Sequence, residues 1–176
     1  MTTALVLTVI GEDRPGLVES LSQTLTHHDA NWLESRMASL AGSFAGILLV
    51  KVPEANADAL INALQGLESQ GLQVMVRRGS ADESAGGYRS LSLNLVGQDH
   101  PGIVHEVSHA LASRKINIDE FSSECTSASW SGETLFHAAA RLRIPQQMST
   151  DELREVLEGL ANELRVDITL DDVPAA

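Results

Sequence analysis

The sequence predicts an α+β protein built from two tandem ferredoxin-like domains, each a β-α-β-β-α-β unit, and three observations carry that prediction. A ten-residue motif occurs twice. Residues 9–18 read Val-Ile-Gly-Glu-Asp-Arg-Pro-Gly-Leu-Val and residues 95–104 read Leu-Val-Gly-Gln-Asp-His-Pro-Gly-Ile-Val, with five positions identical at an offset of 86. The likeness runs on past the motif: Leu25, Asn31 and Glu34 fall on Leu111, Asn117 and Glu120 at the same offset. Val50-Lys51-Val52-Pro53 then falls on Leu142-Arg143-Ile144-Pro145 at 92, and Asp58, Leu60, Leu64, Gly66 and Leu67 fall on Asp151, Leu153, Leu157, Gly159 and Leu160 at 93. The growing offset places extra residues near Ser127–Gly132 and after Pro145. Between the copies, Gly79 to Gly87 is small, polar and Gly-rich, the composition of a connector. The expected domains are 1–78 and 89–172, joined by a linker at 79–88.

The element order follows from periodicity. Leu5, Leu7 and Val9 alternate with Val6, Thr8 and Ile10, and Leu91, Leu93 and Leu95 with Ser92, Asn94 and Val96, the period of two that marks a strand. After each Pro-Gly comes a helical stripe, Leu17, Val18, Leu21 and Leu25 in the first copy and Ile103, Val104, Val107, Ala110 and Leu111 in the second. Residues 31–40 and 117–125 read as second strands, and 46–52 and 135–144 as third strands. A second helix carries Leu60, Ile61, Leu64 and Leu67, or Leu153, Val156, Leu157, Leu160 and Leu164, the latter opened by a Ser149-x-x-Glu152 capping box. Leu72–Val76 and Val166–Leu170 close the copies as short last strands. Two helices cover one face of each four-stranded sheet, so the other face is expected to pack against the second copy or another chain.

Composition narrows the function. The chain has 176 residues, 43% hydrophobic and 20% charged, enough to bury a core in each copy. A net charge of -12 argues against a direct nucleic-acid footprint and against adsorption to anionic membranes. The N-terminal Met-Thr-Thr-Ala-Leu-Val lacks the charged start of a signal peptide, and no apolar run is long enough to span a bilayer, so the cytoplasm is the expected address. The single cysteine, Cys125, excludes an internal disulfide and any multi-cysteine metal site.

The chemistry-bearing segment is the turn between first strand and first helix, Gly11-Glu12-Asp13-Arg14-Pro15-Gly16-Leu17 and Gly97-Gln98-Asp99-His100-Pro101-Gly102-Ile103. Pro15 and Pro101 suit the first helical position, where a missing N–H costs nothing. The N–H groups of Gly16, Leu17 and Val18, and of Gly102, Ile103 and Val104, then lack helical acceptors and attract an anion such as a carboxylate. Glycine at 16 and 102 leaves room for a ligand to approach the backbone. Asp13 and Asp99 can hold an ammonium beside that donor cluster, and Asn31 and Asn117, opening the second strands, can add amide hydrogen bonds. The same residues also make a good tight turn and helix start, and both readings stand at this stage.

Gly-x-Asp-[Arg/His]-Pro-Gly-[Leu/Ile]-Val after a strand, inside a β-α-β-β-α-β copy of this size, resembles the ACT domain. The resemblance covers nearly the whole chain. It implies a non-catalytic regulatory module that binds a small amino acid at an interface between two such domains, with contacts from Gly11–Leu17 and Asn31, and from Gly97–Ile103 and Asn117. It also implies action through a protein partner, a DNA-binding transcriptional regulator, rather than by gripping DNA. It implies no cofactor. The second copy departs from the first at Gln98 and His100, so the two sites are expected to differ.

Two rival chemistries are weighed against this. His105-Glu106-Val107-Ser108-His109 matches His-Glu-x-x-His, in which two imidazoles one helical turn apart ligate zinc beside a glutamate base. The first copy has Glu19 to Gln23 there, and the packing stripe leaves both histidines facing away from the core, so a chance match is expected and no metal site is assigned. Cys125 with His137 as its base is the other. A buried or half-buried structural thiol is the expectation, as are packing roles for Trp32 and Trp130 and a helix-end role for His27-His28.

Overall fold

The computed structural model describes residues 1–79, 87–127 and 132–172. The chain divides into two compact units between residues 83 and 84. The first unit runs β1 (Thr2–Glu12), α1 (Leu17–His27), β2 (Asn31–Leu40), β3 (Ser43–Pro53), α2 (Ala57–Gly66) and β4 (Leu72–Arg78). The second runs β5 (Tyr88–Gln98), α3 (Ile103–Ala112), β6 (Asn117–Ser127), β7 (Thr134–Pro145), α4 (Thr150–Leu164) and β8 (Val166–Asp172). Each is a β-α-β-β-α-β unit with an antiparallel sheet, ordered β2-β3-β1-β4 in one and β6-β7-β5-β8 in the other. The first helix runs back along its sheet, so the first and third strands become central neighbours and the last strand pairs on the far side of the first.

The period-two pattern builds each core. Leu5, Leu7 and Val9 have no exposed surface and face Leu21, Leu60 and Leu64 across the helix layer. Leu91, Leu93 and Leu95 do the same against Val107, Leu111, Leu153 and Leu157. A β-bulge between Trp32 and Glu34 recurs between Ile118 and Glu120, so duplication preserved an irregularity as well as the regular elements. Trp32 is half-buried against the first core. The α4 capping box is present: Ser149 Oγ accepts from the Glu152 N–H at 3.1 Å, and the Ser149 N–H donates to Glu152 Oε2 at 2.9 Å. In the first unit α2 ends at Gly66 and tightens into a 3-10 turn over Leu67–Gln70, whereas α4 continues unbroken to Leu164.

Four sequence expectations need correction. Val18 and Val104 lie outside the cores, 45% and 44% exposed, because the buried line along α1 is Leu17, Leu21 and Leu25 and the next residue along is rotated about 100° away from it. Pro15 and Pro101 are not the first helical residues; they precede the caps, Gly16 and Gly102. Cys125 is exposed rather than buried, because no helix covers the distal half of β6. The strands also run beyond their predicted ends, β3 from Ser43 to Pro53 and β7 from Thr134 to Pro145, because the hairpin pairing extends to the turns. Trp130, most of the predicted linker and the added loop near Ser127–Gly132 lie outside the described residues.

The open sheet faces differ. In the first unit Thr8 lies between Ile47 and Met75, with Ile10 beside them, and Ile10, Ile47 and Met75 are 49%, 53% and 60% exposed. In the second unit the matching register places Asn94 between Ala139 and Thr169, with Ser92 and His137 nearby, and the face is polar.

Candidate functional site

In each unit the motif turn is positioned by three neighbours. Gly11 crosses the start of β4 so closely that a Cβ there would sit 2.5 Å from the Gly71 carbonyl oxygen; at Gly97 it would sit 2.3 Å from Val166 Cγ1. These two glycines are therefore required by strand packing. The Asp13 N–H donates to the Gly42 carbonyl and the Asp99 N–H to the Thr134 carbonyl, both at 2.9 Å, fastening the turn to the hairpin between second and third strands. Gly16 and Gly102 then cap the helices with φ of 93° and 100°, a left-handed conformation that any side chain resists. The space above Gly16 is open, so the caps are glycine for backbone reasons and still admit a ligand.

Around this shared frame the side chains diverge. Asp13 Oδ2 accepts from Ser39 Oγ at 2.5 Å, so part of its carboxylate is already committed to the hairpin. Asp99 meets Cys125 at the equivalent place. Loss of water around the sulfur, and next the negative carboxylate that accepts its S–H, push the Cys125 thiol above its ordinary value. A thiol held protonated is a poor nucleophile, which weighs against the cysteine–histidine chemistry considered above. The Arg14 guanidinium donates to the Gln70 carbonyl, pinning the first turn to the end of the helix layer. His100 instead has Nε2 4.0 Å from Glu106 Oε2, and Glu106 turns back toward the helix start, its Oε1 3.8 Å from where a Gly102 Cβ would lie. The Ile103 N–H is drawn into the turn by the His100 carbonyl at 3.3 Å. The first turn thus presents a freer donor cluster than the second, which keeps its own carboxylate alongside.

Asn31 and Asn117 do not join their own domain's turn. Asn31 pairs with Lys51 at one end of the sheet while Ser39 bonds Asp13 at the other, and the eight residue steps between Asn31 and Ser39 span about 26 Å. Asn117 pairs with Arg143 and donates to Asp119 Oδ1 at 2.6 Å. His105 and His109 are exposed, with their rings stacked 5.9 Å apart, while Glu106 points to the helix start. Among the described residues no three His, Cys, Asp or Glu side chains are grouped to hold a metal ion. Sequence reasoning missed Ser39 and read Glu106 only as the base of a zinc motif, not as a neighbour of the helix start. Ser39 was findable, since it stands 86 residues before Cys125.

The fold and the duplicated turn define a tandem ferredoxin-like protein. The ACT-domain family matches residues 3–77 and again residues 91–162, and the chain belongs to that family, with one ACT domain in each half. It is 24% identical over 163 residues to the glycine cleavage system transcriptional repressor of Escherichia coli, covering 91% of this chain and 85% of the repressor. It is 43% identical over 54 residues to a UPF0237 protein of Methanopyrus kandleri, a stretch that is 31% of this chain and 60% of that protein. A crystal structure of an unknown protein from Galdieria sulphuraria superposes with a TM-score of 0.87 at 34% identity, covering 98% of this chain and 99% of that one. Among the described residues no helix is long and apolar enough to cross a membrane.

Proposed function

We propose that this chain is a non-catalytic cytoplasmic regulator that binds a small amino acid, glycine or one close to it, and modulates a DNA-binding transcriptional regulator. The likeness to the repressor over 91% of the chain supports the regulatory half of this reading. One observation carries the ligand half: each domain presents a left-handed glycine cap at a helix start, three residues after an aspartate whose N–H is fastened to the neighbouring hairpin. A carboxylate suits the donors and an ammonium suits the aspartate. The binding residues are Gly11–Leu17 in the first domain and Gly97–Ile103 in the second. Because Asn31 and Asn117 lie at the far ends of their own sheets, a site that uses one takes it from another ACT domain, the chain's other half or one in a second copy, and the proposal includes a homo-oligomer as one way to complete it.

Calorimetric titration with the twenty amino acids tests this. The expected result is binding of glycine or a near relative, weakened by Asp13→Ala roughly 5- to 150-fold, the equivalent of about 1–3 kcal/mol for a partly desolvated charged partner. Because Asp13 also holds Ser39, a melting curve of each ligand-free variant separates lost contact from a loosened turn. Silence with all twenty, or full affinity in both Asp13→Ala and Asp99→Ala, overturns the assignment.

A further inference from the structure

We infer that the groove between α3 and α4 of the second domain is a docking site for a basic amphipathic helix of a protein partner. The groove encloses about 690 Å3. Its floor is apolar, formed by Ala110, Val156, Leu160 and Leu164, and it is deepened at Gly159, where an added Cβ would meet nothing within 4 Å. Its rim is acidic. Glu106, Glu155 and Glu163 line it, and among the described residues neither Glu155 nor Glu163 has an ion-pair partner. The Glu106 side chain lines the groove while its carboxylate turns to the helix start, with Oε2 4.0 Å from His100 Nε2. Arg114 stands at the other end, donating to the Ala110 carbonyl and Ser113 Oγ, and remains a cation outnumbered by the glutamates Glu106, Glu155 and Glu163 of the lining.

The internal repeat shows that this charge is particular to one domain. At the positions of Glu106, Glu155 and Glu163 the first domain has Ser20, Asn62 and Gln70, all neutral, while the glycine of the floor is kept as Gly66. Residues 87–172 hold 14 Asp+Glu against 7 Lys+Arg, and residues 1–78 hold 8 against 5. An apolar floor between carboxylate rims calls for a helix with an apolar stripe flanked by lysine or arginine. Among the described residues no helix has that character. Its α4 is itself acidic, with Asp151, Glu152, Glu155, Glu158 and Glu163, so a second copy is repelled rather than recruited.

This rests on the reading that the chain acts through a protein partner, and it needs no amino-acid ligand. The test titrates the full-length protein into a fluorescein-labelled amphipathic peptide of about fifteen residues, leucines at helical spacing and lysines between them, against the same peptide with glutamate for lysine. The lysine peptide is expected to bind and the glutamate peptide not. Affinity is expected to fall about tenfold or more in E155Q/E163Q and with rising salt, and to be abolished in G159W, which fills the floor. The two glutamines are isosteric and exposed, so a melting curve like the parent's is expected and confirms that the fold is kept. Failure of the parent to bind the lysine peptide, equal binding of both peptides, or unchanged affinity in E155Q/E163Q overturns the inference. Peptide binding in a sample that is silent to all amino acids leaves the groove standing and removes only the ligand half of the proposed function.

Discussion

The turn that starts α1 and the turn that starts α3 share a backbone but not an environment. Both carry glycine at the strand crossing, aspartate tied to the hairpin, and a glycine cap at positive φ. Around them Ser39 is replaced by Cys125, Arg14 by His100 and Ser20 by Glu106, and the second turn ends with a carboxylate of its own near the helix start. The open sheet faces and interhelical grooves diverge in the same way, apolar or neutral in the first domain and polar or acidic in the second. The lesson is that duplication preserved what holds the turn's shape and released what faces outward. Any functional difference between the halves therefore resides in side chains around an identical frame.

That comparison can be broken at the strand crossing, where the largest effect is expected. Gly11→Ala and Gly97→Ala should each destabilise their domain by about 1–3 kcal/mol, read from denaturant midpoints. Adding Val166→Ala should recover part of the Gly97 loss, because the obstacle there includes a side chain. No truncation should rescue Gly11→Ala, whose obstacle is the Gly71 carbonyl. Equal rescue in both would mean that the two crossings are not built as described.

A smaller loss is expected at the caps. Gly16→Ala and Gly102→Ala place an L side chain at positive φ and should cost about 1–2 kcal/mol each, although a new Cβ meets nothing at Gly16 and only Glu106 Oε1 at Gly102. Similar losses at both sites would show that the cost is in the backbone and not in the neighbours.

The second helices offer a sharper contrast. Ser149→Ala removes a capping box from α4 and should cost about 1 kcal/mol, whereas Asn56→Ala before α2 removes no side-chain cap to that helix. Asn56 Nδ2 does donate to the His28 carbonyl at 3.1 Å and to Asp29 Oδ2 at 3.2 Å, so a loss at Asn56 matching that at Ser149 would assign it to these links.

The smallest effect is a rate. The Asp99 carboxylate helps raise the Cys125 pKa, so the thiolate is scarcer at neutral pH than for a free cysteine, and the reactive fraction grows as pH rises. Asp99→Asn removes the negative charge, lowers that pKa and should speed iodoacetamide labelling at neutral pH. Slower or unchanged labelling would place the carboxylate away from the sulfur.

Much of this molecule was legible in its residues. Alternation of Leu5, Leu7 and Val9 set the buried face of β1 because successive strand side chains point to opposite sides. The Ser149-x-x-Glu152 box announced α4 because its partners are three residues apart and close without help from the rest of the fold. The repeat itself located both domains and both turns, and the positive φ at Gly16 and Gly102 is a local demand that glycine meets. What the linear order could not carry were contacts between segments distant in sequence. Gly11 reads as a turn glycine, and only the approach of Gly71 shows that it makes room for a neighbouring strand. Asn31 reads as a partner for Asp13, and only the direction of β2 puts the two at opposite ends of the sheet. Glu106 reads as the middle of a zinc motif, and only the fold of the turn before α3 shows its carboxylate drawn back to the helix start beside His100, on a side chain that lines the groove between α3 and α4. Period and capping act over a few residues, so the sequence determines them; strand crossings, sheet direction and groove walls join residues tens of positions apart, so tertiary structure decides them.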